Sequence, residues 1–165
     1  MSVCRPFLAV PCCITGIIFA FLFCSGATDT SAQQARPNLS GTWKLNLSKS
    51  KLAWPHPPQG HRYKIKHSEP RLEMVHEGET YHYITDGKQH VANRSSTEGE
   101  TLAKTYWDGD TVVTEKSQEF GLGVSKWVSR YTLSQDGKSL AITHHVSRSS
   151  FSEAFDESLT YEKQQ

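Results

Sequence analysis

Thr101-Leu102-Ala103-Lys104-Thr105-Tyr106-Trp107-Asp108-Gly109-Asp110-Thr111-Val112-Val113-Thr114-Glu115-Lys116-Ser117-Gln118 is the stretch that decides the fold. β-Branched and aromatic residues fill both halves, and Asp108-Gly109 separates them. Asp and Gly tolerate the positive φ of a tight turn, so the stretch reads as a hairpin of two strands, Thr101–Trp107 and Thr111–Gln118. The same punctuation recurs at Asp86-Gly87 and Asp136-Gly137, and Pro70-Arg71 reads as a further tight turn. No proline follows Pro70, and no helical period of useful length appears.

Outward from this hairpin, the remaining predicted strands are Gly41–Asn46, Arg62–Glu69, Leu72–Glu77, Thr80–Thr85, Lys88–Arg94, Lys126–Leu133, Ser139–Ser147 and Ser152–Lys163. Leu47–Lys51 reads as one helical turn, and the proline-rich Trp54–Gly60 as a loop. Almost every connection is short. An all-β, antiparallel up-and-down β-barrel of about 8–10 strands is therefore expected rather than a sandwich, because closure removes exposed strand edges.

Alternation with period two sorts side chains onto faces. Trp43 and Leu45 share one side, as do Tyr63, Ile65 and His67, then Trp127, Tyr131 and Leu133, then Leu140, Ile142, His144 and Val146, and then Phe151, Glu153, Phe155, Glu157, Leu159 and Tyr161. Turned inward, these faces make an aromatic interior that also holds histidines and carboxylates. A packed core rarely keeps such groups unpaired, whereas a ligand-holding cavity tolerates them. Trp43, Tyr63, Met74, Tyr83, Trp127, Tyr131 and Tyr161 are the predicted ligand-binding lining.

The N-terminus has a different character. Arg5, an apolar run from Phe7 to Cys24 and the small residues Ser25-Gly26-Ala27 have the layout of a cleaved signal peptide. Pro11 and Gly16 interrupt the run and no basic stop follows, which argues against a membrane anchor. The expected organisation is a signal peptide and cleavage region at 1–32, a linker at 33–38 and a barrel domain at 39–165. The protein is then secreted or periplasmic, with no stable membrane insertion after cleavage. All four cysteines, Cys4, Cys12, Cys13 and Cys24, lie in the leader. Cleavage after Cys24 leaves no thiol for a disulfide, a nucleophile or a Cys-based metal site. With 18 Lys+Arg against 17 Asp+Glu, the charge of +1 excludes a general electrostatic grip on nucleic acid.

Leu39-Ser40-Gly41-Thr42-Trp43-Lys44-Leu45, Thr105-Tyr106-Trp107-Asp108-Gly109-Asp110 and Leu159-Thr160-Tyr161-Glu162-Lys163 together resemble the calycins, meaning lipocalins and intracellular fatty-acid-binding proteins. Ser48-Lys49-Ser50-Lys51, Asp86-Gly87-Lys88 and Asp136-Gly137-Lys138 bring the chain closer to secreted bacterial lipocalin-like proteins of unassigned function. The resemblance covers about residues 39–163 and implies a barrel around a small apolar ligand. Fatty-acid-binding proteins of this pattern place an arginine two residues before the tyrosine matched by Tyr161, where it grips the ligand carboxylate. Leu159 stands there instead, and Arg130 alternates outward with Tyr131. The resemblance therefore implies a neutral or amphipathic ligand.

The expected function is binding of a hydrophobic or amphipathic small molecule, with no cofactor and no metal. Two other readings stay open. One is an envelope protein-interaction module with a packed barrel. The other is an enzyme using His144 with Glu153 or Glu157, a pair that burial could tune for acid–base work; a Ser149-Ser150 turn places His144 opposite Phe155, between those two carboxylates. With Pro70-Arg71 as the turn, His67 and His76 become diagonal neighbours offering two metal ligands and no third. A haem version of the binding reading uses His67, His76 or His90 as an axial ligand. Tyr83 is expected to face His90 across the Asp86-Gly87 turn.

Overall fold

The computed structural model describes residues 36–53, 61–95, 99–121, 123–149 and 151–165, with side chains described throughout except for Phe120 and residues 151–153. The predicted leader at 1–32, its cysteines and the first part of the linker lie outside the described residues. Among those residues, no helix is long and apolar enough to cross a membrane.

The chain forms β1 (Gly41–Leu45), a 3-10 turn (Leu47–Lys49), β2 (Arg62–Ser68), β3 (Arg71–His76), β4 (Glu79–Ile84), β5 (Gln89–Ser95), β6 (Gly99–Asp108), β7 (Thr111–Phe120), β8 (Gly123–Leu133), β9 (Ser139–Arg148) and β10 (Phe151–Lys163). All belong to one antiparallel sheet in the order β4-β3-β2-β1-β10-β9-β8-β7-β6-β5. Pairing of β1 with β10 joins the first and last strands, with Trp43 opposite Lys163 and Leu45 opposite Tyr161. The result is a nearly closed up-and-down barrel, and the expected strands all form.

β4 and β5 end the ladder order on either side of a seam. A bulge between Val91 and Asn93 bends β5 there. Asn93 Nδ2 spans the seam, donating to Glu79 Oε2 (2.9 Å) and to the Thr80 carbonyl (3.0 Å). Tyr83 and His90 are therefore not cross-strand partners as expected; His90 Nε2 instead meets Asp86 Oδ1 at 3.0 Å.

Two registers differ from the sequence reading. The β2–β3 turn is Glu69-Pro70, so Ser68 pairs with Arg71, His67 with Leu72 and Tyr63 with His76. This two-residue slip keeps every side chain on its predicted face and moves His67 and His76 apart along the hairpin. In β10, an irregularity between Phe151 and Ala154 puts Phe155 opposite Val146 and Glu157 directly opposite His144.

The end of the barrel carrying the β2–β3, β6–β7 and β8–β9 turns is sealed. Trp43, fully buried, donates its indole N–H to the Leu39 carbonyl at 3.0 Å. Leu39, also fully buried, donates its backbone N–H to His67 Nδ1 at 3.2 Å. The packed region therefore starts two residues before β1, as the sequence suggested. At Gly41 a Cβ would lie 2.7 Å from Lys163 Cε, and φ is +152°, so the Gly-x-Trp spacing serves the close approach of β10.

Glu69 gathers the rim of this end. Its carboxylate accepts from Thr85 Oγ1 (2.6 Å) and Trp107 Nε1 (2.6 Å), and meets His67 Nε2 at 3.0 Å. Partial burial alone would raise its pKa, but the bonds from Thr85, His67 and Trp107 outweigh it and hold the carboxyl below the ordinary glutamate range. A depressed carboxylate stabilises the fold above its unfolded pKa, and that contribution is lost as pH falls through the folded one. Glu69→Gln is therefore expected to cost about 1 kcal/mol at neutral pH, the low end for charged hydrogen bonds because the group is over a third exposed. The loss shrinks in urea titrations run below pH 4; a constant loss there would refute the assignment.

Candidate functional site

The interior divides into two parts. Towards the sealed end, Ile65, Leu72, Met74, Tyr83, Leu140 and Ile142 are all buried in one apolar cluster with Trp43. Further along the same inward faces, Tyr81, His76, Lys116, Trp127, His144 and Glu157 are only half-buried. An inward side chain keeps accessible area only where space lies beside it. The strand alternation thus produces a packed floor and, above it, a polar and aromatic chamber wall.

Of the predicted lining residues, all seven point inward. Trp43, Tyr63, Met74, Tyr83, Tyr131 and Tyr161 are at most 7% exposed and belong to the packed cluster. Trp127 alone of the seven stands half-buried in the chamber wall. Burial pushes the Tyr131 phenol up to about 12 and raises those of Tyr63 and Tyr83 well above the ordinary tyrosine value, so these hydroxyls stay protonated.

Lys116 is the residue the sequence reading missed. It sits on β7 opposite Trp127 on β8 and Ala103 on β6. Its Nζ lies 4.9 Å from the Tyr81 ring centroid and 5.5 Å from that of Trp127, within cation–π range. Burial pushes the ammonium down to about 8, and among the described residues no carboxylate offsets the shift. The signal was parity: Lys116 shares its face with Val112, Thr114 and Gln118, all buried.

His144 is held by Ser129, whose Oγ lies 2.8 Å from His144 Nδ1. Burial, then the nearby Lys116 and His61, push this imidazole down to about 4, so it is neutral at pH 7. Ser129 is fully buried, which keeps its hydroxyl from any incoming molecule. Glu157 faces His144 in register, and burial raises its pKa. The side chain of Glu153 lies outside the described residues. Arg130 faces outward, as expected, and pairs with Asp108.

A second polar cluster occupies the open side of β2 and β3. Tyr63 stacks on His76 at 4.2 Å with an interplanar angle of 14°. His61, just before β2, lies against His76 and places Nδ1 2.5 Å from Tyr161 Oη. His61 continues the parity of Tyr63, Ile65 and His67, a signal hidden by the proline-rich segment before it.

No protein-family model matches the chain, and no curated protein does. Among solved structures, the barrel is similar to the apo form of Caenorhabditis elegans lipid binding protein 8, with a TM-score of 0.49 and 9% sequence identity over 76% of this chain and 94% of that chain.

Proposed function

We propose that this protein is an exported carrier that holds a small amphipathic anion in the upper part of its barrel. One observation carries the reading: Lys116 is a cation without a carboxylate partner among the described residues, set between the aromatic faces of Tyr81 and Trp127 on a half-open inward wall. Desolvating a charge is costly unless something compensates it, and a ligand carboxylate, sulfonate or phosphate would do so. The rings beside Lys116 supply the apolar surface that the rest of such a molecule needs. This replaces the arginine clamp missing at Leu159 with a lysine on a different strand. The leader-like character of residues 1–32 supports export.

A matched pair of fluorescent probes tests the reading. Anilinonaphthalene sulfonate is an amphipathic anion, and N-phenyl-1-naphthylamine has the same aromatic body without the charge. The folded protein is expected to bind the sulfonate at least about tenfold more tightly, a difference of about 1.4 kcal/mol. Equal affinity for the two, or none for either, would sink the proposal. Trp127→Ala should weaken both probes by about tenfold with little loss of stability, since a contact face is removed and no packed core is opened. Tyr131→Ala is the wrong test for binding. That ring is 2% exposed, and its truncation would unfold the floor first.

A further inference from the structure

We propose that His61, His76 and Glu77 form a binding site for a divalent first-row transition metal, with zinc as its natural probe. Their donor atoms all lie within 4.8 Å of one another. His61 Nε2 and His76 Nε2 face each other in direct contact, and Glu77 Oε1 is 3.5 Å from His61 Nε2. Donors around a tetrahedral zinc sit about 3.3 Å apart, as bond lengths of about 2.0–2.2 Å require. Small rotations bring the three groups to that spacing. Glu77 lies in the β3–β4 turn, outside the ladders, and His61 is tied to β1 only through its backbone, whose carbonyl accepts the Leu45 N–H at 3.1 Å, so both side chains can rotate.

The surroundings are those of a ligating pair rather than of two stray imidazoles. The two imidazoles are half-buried against each other with their Nε2 atoms turned together. The other nitrogen of His61 is held by the Tyr161 hydroxyl, which fixes ring orientation as outer-shell partners do in metal sites. The Tyr63 ring fixes the plane of His76 by stacking. Glu77 also adopts φ 51°, and it is the one non-glycine residue with positive φ among those described. Asn, Asp or Gly is the ordinary occupant of such a turn position. A glutamate there gives up backbone preference and places a carboxylate beside two histidines. Two nitrogens and one carboxylate suit zinc, copper or nickel rather than magnesium or calcium, and leave coordination positions open.

The test is Zn(II) titration of the purified full chain, thiols blocked by alkylation, followed by calorimetry with no organic ligand present. It is therefore independent of the carrier reading. One equivalent is expected to bind at low micromolar Kd or tighter. Glu77→Gln, in an exposed turn where folding is not at stake, should weaken binding by about tenfold or more, and His61→Ala and His76→Ala further. Circular dichroism checks that each variant keeps its sheet. Failure to bind at about 100 µM Zn(II), or binding that Glu77→Gln or either histidine variant leaves unchanged, overturns the three-donor site.

Discussion

Lys116→Met is expected to stabilise the protein by about 2 kcal/mol at pH 7 and to abolish its preference for an anionic ligand. The two effects have one cause. Lys116 is pushed from an ordinary 10.5 to about 8 by burial alone. A displacement of that size corresponds to roughly 3 kcal/mol between the charged and neutral forms, and some accessible surface at the side chain reduces it. At pH 7 the lysine is protonated in both the folded and unfolded states, so the folded state bears the whole desolvation cost. Between about 8 and 10.5 the unfolded state binds more protons, so stability rises with pH across that window and is flat below it. Methionine has similar length and no charge, which removes both the cost and the alkaline rise. Urea unfolding at pH 7 and at pH 10 reads the first effect, and the paired probes read the second. Affinity for the sulfonate in the unsubstituted protein should fall as pH passes above about 8, while affinity for the neutral probe stays level. A variant that is less stable, or that still prefers the sulfonate, would mean that Lys116 is compensated within the barrel.

The fold was legible because its information is local. Asp86-Gly87, Asp108-Gly109 and Asp136-Gly137 mark turns through backbone conformation alone, and period two assigns faces without reference to distant strands. Both misread registers arose where that local information is ambiguous. Glu69-Pro70 and Pro70-Arg71 are both plausible turns. The structure selects the former, with Glu69 bonded to Thr85 on the far side of β4, to His67 and to Trp107. The irregularity near Phe151 leaves no proline or glycine as its mark. A shift of two residues preserves faces, so each side chain stays on its expected side of the sheet, while His67 and His76 are not diagonal neighbours and His144 faces Glu157 rather than Phe155.

The candidate site was less legible for a different reason. Lys116 lies between Glu115 and Ser117, and a lysine in a polar segment reads as solvated unless its neighbours across the sheet are known. Trp127 and Ala103 are those neighbours, and they become adjacent only through the register. His61 and Tyr161 are 100 residues apart in sequence and meet because β1 pairs with both β2 and β10. Of the seven aromatic and Met residues expected to line the interior, six are buried, at most 7% exposed, and Trp127 keeps accessible surface, while Lys116, His144 and Glu157 are half-buried on the same inward faces.

Trp43→Ala should show how completely that floor and that wall divide the work. The indole is fully buried, packs between Tyr63 of β2 and Lys163 of β10, and holds the Leu39 carbonyl. Its truncation is expected to cost about 3–5 kcal/mol through lost apolar burial and an unfilled cavity. A domain of this size has about 5–15 kcal/mol in all, so the variant is marginal and its unfolding midpoint in urea drops steeply. Trp43→Phe separates the contributions. It keeps most of the packing but removes the N–H, leaving a buried carbonyl unbonded at a cost of about 1–3 kcal/mol. In both variants, probe affinity measured under conditions where the protein remains folded should be unchanged, because Trp43 is fully buried at the sealed end, on β1, whereas Lys116 and Trp127 stand on β7 and β8. A loss under about 1 kcal/mol for Trp43→Ala would mean that the sealed end is loosely packed. Weakened probe binding by the folded variants would show that the chamber reaches the floor, and would restore Trp43 and its buried aromatic neighbours to the ligand's path.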